Sequence, residues 1–221
     1  FFYLPRIEAW KTFWAERRKF KPKLRAQVNM RKVILLAHIS LDGFVAGSKG
    51  ELDGFDAGEE NLQFVSELTE EADAALFGRK SYELLNSFWP TAKDLANASK
   101  GQIAYSTWYC NAGKIVVSRT MANQHLANTL VVAENVPNEI ANVKLQPGKN
   151  ILIFGSPSVS QLLMQHKLID SYWIFVNPVI FGDGIPLFKS FGKRMQFKLV
   201  TTKEFSNGEV AMNFIPDSYR D

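Results

Sequence analysis

The sequence is poor in the residues that hold disulfides and metals. Its 221 positions carry one cysteine and three histidines. A lone Cys110 excludes an internal disulfide framework and fits a reducing compartment. His38, His125 and His166 share no ligand spacing with it or with one another, so no metal site is expected. No apolar run approaches the ~18–20 residues of a membrane span. The first residues show no apolar stretch closed by a small-residue cleavage site, so the cytoplasm is the expected compartment. Neither the GxGxxG fingerprint nor a P-loop occurs. No Ser-His-Asp order suggests a hydrolase.

Acidic residues are scarce at one end. The formal net charge is +4, yet residues 1–29 hold eight Lys/Arg against Glu8 and Glu16, and the remainder holds 18 against 20. A slightly acidic main body removes the electrostatic support for nucleic-acid binding. The chain opens with Phe1, and Met30 directly precedes a strand-like run, so residues 1–29 are expected to be a basic leader outside the fold and residues 30–221 the domain. Within the leader, Ile7, Trp10, Phe13 and Trp14 fall on one helical side ahead of a run of cations, a pattern that also suits contact with a membrane or a partner.

What is present is an alternation of short apolar runs and helical periods. Strands are expected at Val33–Ile39, Ala74–Phe77, Lys114–Val117, Thr129–Ala133, Asn150–Phe154 and Ser171–Val176. Helices are expected at Glu59–Thr69, at Arg79–Leu85 with an end at Trp89-Pro90, at Pro137–Val143 and at Ser156–His166. Phe44–Ala46 reads as a hairpin extension after Asp42-Gly43, where Asp42 suits a turn. Pro178–Phe188 reads as a Gly/Pro loop able to close over a substrate or to form a dimer turn. Gln196–Phe205 and Glu209–Ile215 flank Ser206-Asn207-Gly208 as a hairpin. The fold class is therefore α/β, with a mostly parallel sheet and an antiparallel pair at its C-terminal end. Ligands of such sheets bind beyond the carboxyl ends of the strands.

Three strand ends there suit an anion. Phe77 runs into Gly78-Arg79-Lys80-Ser81, where glycine, two cations and a hydroxyl meet the free N–H groups of a helix start. Val117 runs into Ser118-Arg119-Thr120, and a guanidinium can bond two oxygens of a phosphate at once. Phe154 runs into Gly155-Ser156-Pro157-Ser158-Val159, with proline at a helix start, Ser156 as its cap, and a glycine that leaves room against the backbone. Each corner alone also reads as an ordinary strand end. Together they suit two separate phosphate groups, a pyrophosphate and a 2′-phosphate, as NADPH carries. Glu60 lies one helical turn before Phe64, and the two could bind and stack on a planar heterocycle. Glu59 and Glu60 equally suit a helix N-terminus. Asp56 is a second candidate acid, and His38 reads either as a core or hydrogen-bonded strand histidine or as a proton donor. Trp173 and Phe175 read as sheet packing or a dimer surface.

These motifs resemble a known family. GRKSY, VVSRT and IFGSPSVSQLL each follow a strand, and with ISLDGFVAG and LIDSYWIFVNPVIFGDGIPLF they resemble the dihydrofolate reductase superfamily. Within it they are most similar to bacterial reductases grouped with the reductase domain of the bifunctional riboflavin-biosynthesis deaminase-reductase. The similarity runs from Met30 to about Pro216. It implies a three-layer dihydrofolate reductase-like fold and an NADPH-dependent reductase of a small heterocycle, often a homodimer. It implies that Gly78, Arg79, Lys80 and Ser81 face cofactor phosphates, and that Ser118, Arg119 and Thr120 take the 2′-phosphate. Gly155, Ser156, Ser158 and Val159 would then meet the pyrophosphate and nicotinamide half. Glu60, with Asp56 as alternative, is the expected proton-handling carboxylate, and Phe64 and His38 the expected substrate contacts. Ser156-Pro157 stands where dihydrofolate reductases carry a run of glycines. The rival reading is a nucleotide-binding regulatory protein of the same fold without turnover.

Overall fold

The computed structural model describes residues 30–217 except 57, 123 and 190–193. The expected leader, residues 1–29, lies outside the described residues. The strands are β1 (Val33–Ile39), β2 (Phe44–Ala46), β3 (Ala72–Gly78), β4 (Gly113–Val117), β5 (Thr129–Val132), β6 (Asn150–Phe154), β7 (Ser171–Val176), β8 (Ile185–Pro186), β9 (Phe197–Glu204) and β10 (Val210–Pro216). The helices are α1 (Glu59–Glu70), α2 (Arg79–Ala92), α3 (Lys100–Asn111), α4 (Val136–Lys144) and α5 (Pro157–Gln165).

Eight strands form one sheet in the order β5-β4-β3-β6-β1-β7-β10-β9. The first six are mutually parallel, and β10 and β9 run antiparallel at one side. The central strands are continuous apolar runs because both faces are covered. Period two divides them. Val33, Leu35, Leu76, Ile115, Ile151 and Ile153 face α4 and α5, whose Ile140, Val143, Val159 and Leu163 complete that core. Leu36, Ala75, Phe77, Val116 and Leu152 face the other way, onto Val65, Tyr82, Tyr105 and Tyr109 of α1, α2 and α3. The result is a three-layer α/β/α domain of the dihydrofolate reductase-like class.

Three local expectations are corrected. The Asp42-Gly43 turn forms, but β2 pairs with β8 of the Gly/Pro loop in a separate two-stranded sheet rather than extending a hairpin with β1. Helix α3 was not foreseen. Its N-terminus is fixed by a capping box in which Ser99 and Gln102 bond each other's backbone N–H. Helix α2 does not stop at Trp89-Pro90 but runs on to Ala92. Pro90 has no N–H to bond the Asn86 carbonyl one turn back, and the turn beyond it is tied to the neighbouring helix. The buried Ser106 hydroxyl of α3 donates to the Trp89 carbonyl at 2.6 Å and accepts the Lys93 N–H at 3.2 Å.

This dependence is measurable. Ser106→Ala leaves the Trp89 carbonyl and the Lys93 N–H without that partner and is expected to cost about 1–3 kcal/mol in urea unfolding. A loss within experimental error of zero would show that the end of α2 holds without α3.

Candidate functional site

Parallel pairing delivers the three polar corners to one edge. β3 lies between β4 and β6, with Gly78 paired to Val117 and Leu76 to Ile153. The residues that follow these strands, Arg79, Ser118 and Gly155, therefore leave the sheet side by side. Two corners touch. The Gly78 N–H donates to the Ser156 hydroxyl at 3.0 Å, and that hydroxyl donates to the Phe154 carbonyl at 3.2 Å. Ser156 thus makes no side-chain cap on α5, contrary to the sequence expectation; its oxygen ties the helix start to the neighbouring strand instead. Gly155 and Ser156 both take left-handed backbone, φ +56° and +47°. Glycine meets that need without strain, and a Cβ at Gly155 would stand in open space, so its site is free for a ligand.

Around this corner the donors are exposed. Gly78 is an N-cap with no side chain, so the first N–H groups of α2, at Arg79, Lys80 and Ser81, have no cap to bond them. Arg79 and Lys80 are exposed, and Arg79 bridges to Glu83 on the same helix at 3.2 Å. Ser118 is buried, with its hydroxyl 3.1 Å from that of Thr120, while Arg119 and Thr120 are exposed. Among the described residues neither Lys80 nor Arg119 makes an ion pair. Ser158 is exposed at the first turn of α5, whereas Val159 is buried and packs toward Gly78.

The second half of the edge lies beyond β1 and β7. Antiparallel β10 begins there, with Val210 beside Val176, so the 206–209 turn arrives at the same edge. Its Ser206 N–H donates to Glu60 Oε2 at 3.1 Å, and its Asn207 amide to the Asp56 carbonyl at 2.7 Å. The Ser206 N–H and hydroxyl, with Lys203 nearby, hold the Glu60 carboxyl below its ordinary range. These contacts favour the charged carboxylate, which accepts from the turn. Phe64 stands edge-on to Trp173 at 5.1 Å and to Phe205 at 5.7 Å, with the Lys203 ammonium 4.5 Å over its ring. Trp173 and Phe175 are both buried, so they are sheet packing.

His38 projects from β1 onto the same face as Leu36. Its ring stacks on Phe175 with centroids 4.6 Å apart, and Phe55 lies 6.4 Å away. Its Nδ1 is 2.5 Å from Oε1 of Glu209, which is 0% exposed. Asn177 donates to the same oxygen at 3.0 Å. The sequence reading missed Glu209. Period two from the buried Ala211 gives the signal, because it turns Glu209 inward.

The loops that border this half are latched. The Ser40 hydroxyl donates to Asp42 at 2.6 Å, and Asp42 in turn accepts N–H groups of Phe181 and Gly182. Asp42 is therefore a clamp as well as a turn residue, and the Ser40 hydroxyl, followed by those N–H groups, lowers its pKa. Phe181 reaches Phe55 at 5.1 Å and passes Gly54 so closely that a Cβ there would sit 2.3 Å from its ring. Two hollows of the described surface lie away from these loops. One, of about 390 Å³, is lined by Met164, Tyr172, Ile174 and Phe214 on the opposite face of the sheet. The strand ends, not cavity size, locate the site.

Comparison with known proteins gives the family and the fold. The model of the family described as RibD C-terminal domain matches residues 31–211. The uncharacterized protein YyaP of Bacillus subtilis (strain 168) is 30% identical over 184 residues, covering 83% of this chain and 94% of its own. A diaminohydroxyphosphoribosylaminopyrimidine deaminase/5-amino-6-(5-phosphoribosylamino)uracil reductase of Thermotoga maritima superposes with a TM-score of 0.59 at 20% identity, over 85% of this chain and 57% of that one. Dihydrofolate reductase of Enterococcus faecalis, in complex with NADP(H), does so with a TM-score of 0.56 at 13% identity, over 85% and 97%. At these identities the two structures share the fold.

The latches set an acid response. Asp42, Glu59 and Glu60 all have lowered pKa values, Glu59 through the Ser99 hydroxyl and Gly101 N–H. A carboxylate with a depressed folded pKa stabilises above its unfolded pKa and loses that contribution as pH falls. Between about pH 5 and about pH 3 the urea midpoint should therefore fall more steeply for the wild type than for the variant Asp42→Asn, Glu59→Gln, Glu60→Gln. Parallel slopes would mean that these contacts persist in the unfolded chain or do not form.

Proposed function

The chain belongs to the RibD C-terminal domain family, and on that premise we propose that it is an NADPH-dependent reductase of a small heterocycle, of the riboflavin-pathway pyrimidine type, with a pterin as the second candidate. The observation that carries this reading is the side-by-side exit of Arg79, Ser118 and Gly155 from adjacent parallel strands, with Gly78 bonded to Ser156. A dinucleotide needs several anion contacts in one row, and this edge supplies uncapped helix N–H groups, three exposed cations and an open glycine.

NADPH would supply the hydride when bound, and the protein binds, orients and excludes water. Gly155, Ser156 and Ser158 would hold the pyrophosphate against the start of α5. Arg79, Lys80 and Ser81 would add charge and N–H donors at α2. Ser118, Arg119 and Thr120 would take the 2′-phosphate, with Arg119 bonding two oxygens. Val159, packed toward Gly78, would back the nicotinamide. Beyond β1, Phe64 would offer an aromatic wall, and Glu60 and Asp56 would accept ring N–H groups of the substrate. The exposed Leu199 and Val200 of edge strand β9 would be covered in a homodimer, which sedimentation velocity would read as one species of twice the chain mass. Among the described residues no helix is long and apolar enough to cross a membrane.

Arg119→Ala is expected to weaken NADPH by about 1.5–3 kcal/mol and NADH far less, because a charged hydrogen bond to the 2′-phosphate is lost only with the first. Fluorescence titration of both cofactors measures this. Equal losses would remove Arg119 from that role, and no binding of either cofactor to the wild type would end the reductase reading.

A further inference from the structure

We propose that His38 and Glu209 form the proton-transfer pair of this site, His38 giving the proton that accompanies hydride addition and Glu209 holding the ring in position. The proposal rests on the reductase reading above and supplies what that reading lacks. Glu60 is exposed and already accepts the Ser206 N–H of the 206–209 turn, whereas His38 has a ring nitrogen with no partner among the described residues.

The geometry sets this histidine apart from a packing residue. Its Nδ1 meets a fully buried carboxylate oxygen at 2.5 Å, while its side chain stays 34% exposed. A carboxylate there keeps hydrogen on Nδ1 and leaves Nε2 as the nitrogen available to a ligand. Among the described residues Nε2 makes no hydrogen bond. Glu209 is itself fixed. The Asn177 amide donates to Oε1 at 3.0 Å, and the Glu209 N–H donates to the Asn207 side chain at 3.1 Å. Its other oxygen, Oε2, is buried without a partner among the described residues. A buried carboxylate with one free oxygen is costly to keep without a hydrogen-bonding partner, and the His38 ring is the side chain that faces it beside the Asn177 amide. Phe175 below the ring and Phe55 beside it give the apolar walls in which such a pair acts strongly. The position fits as well. His38 is two residues beyond Leu36, which pairs with Phe154 at the end of β6, the strand that leads into Gly155.

The step balances. Hydride adds with its electron pair to the carbon of a C=N or C=O bond. The π pair moves onto the nitrogen or oxygen, which takes the proton from Nε2 of His38. The Nε2–H electrons return to the ring, now neutral, and water reprotonates it through the exposed part of the side chain. Glu209 keeps its charge throughout and acts only by orienting the ring and offsetting its charge.

The test uses the full chain with His38→Gln, His38→Asn and Glu209→Gln. NADPH titration by fluorescence examines the parent reading alone, and the three variants should bind it as the wild type does. The probes are 5-amino-6-(5-phosphoribosylamino)uracil and 7,8-dihydrofolate. With whichever is reduced, both His38 variants should lower single-turnover NADPH oxidation by ~10²–10⁴-fold. Glu209→Gln should lower kcat with an unchanged KM for the probe. Undiminished oxidation in His38→Gln overturns the proposal. A second readout needs no turnover. Nitrogen-edited NMR of the wild type should show His38 with hydrogen on Nδ1 and an Nε2 signal that moves when a probe is added. In Glu209→Gln the Nδ1 proton signal should be lost. An Nε2 signal unmoved by either probe overturns the proposal, whether or not NADPH binds. If Glu209→Gln fails to fold, the His38 variants decide alone.

Discussion

The in-register parallel pairing of β3 with β4 and β6 is the constraint on which the rest depends. A parallel ladder forces neighbouring strands to end together, and each must then turn out of the sheet into a helix or loop. At that edge the sheet no longer satisfies the backbone, and the first turn of α2 presents N–H groups that no side chain caps. The polar residues at 78–81, 118–120 and 155–158 are the local answer to this geometry. They are held in place from behind by strands buried on both faces, so the donors are rigid although they are exposed.

The antiparallel strands perform the complementary task. Because β10 runs against β7, it begins where β7 ends, and its hairpin turn is carried to the same edge. The turn itself is specified locally. Gly208 takes φ +83°, the Gly208 N–H returns to Phe205, and the Phe205 N–H pairs with the Glu209 carbonyl. From that position three consecutive features act on three different elements. Ser206 engages Glu60 of α1, Asn207 engages the loop at Asp56, and Glu209 turns inward to His38 of β1. An all-parallel sheet could not bring such a turn there without another crossover.

Much of this was legible in the sequence, for stated reasons. Strands buried on both faces are short apolar runs closed by glycine or serine, and β1 was read to the residue. The three polar corners were legible because glycine, serine and arginine follow those runs directly. What was missed is non-local. Helix α3 carries apolar and polar residues on all sides, since it packs against both α1 and α2, and so shows little amphipathic period. The last turn of α2, beyond Pro90, is tied to Ser106, 16 residues further on. Ser156 looked like a cap because its sequence neighbours suit one, but its hydroxyl answers the N–H of Gly78, 78 residues away. Glu209 was visible only as the first residue of a strand. Its partner His38 lies 171 positions earlier, and nothing local announces the pair.

The carboxylates around the edge divide into two kinds, and the division has a physical origin. Asp42, Glu59 and Glu60 are exposed, and each is bonded by hydroxyl and N–H donors of another segment. Exposed contacts of this sort are individually weak because water competes for both partners. They tie the loops at 40–58 and 178–184 and the 206–209 turn to the body of the domain at little cost in mobility. Glu209 is the opposite case. It is removed from water, so its contact with the partly exposed His38 ring is screened less than those on the surface, and moving the ring away would leave a buried carboxylate oxygen without that partner. Segments that must admit a ligand are therefore held by contacts that break easily. The His38–Glu209 pair, one side of it buried, is held by a contact that water competes for less.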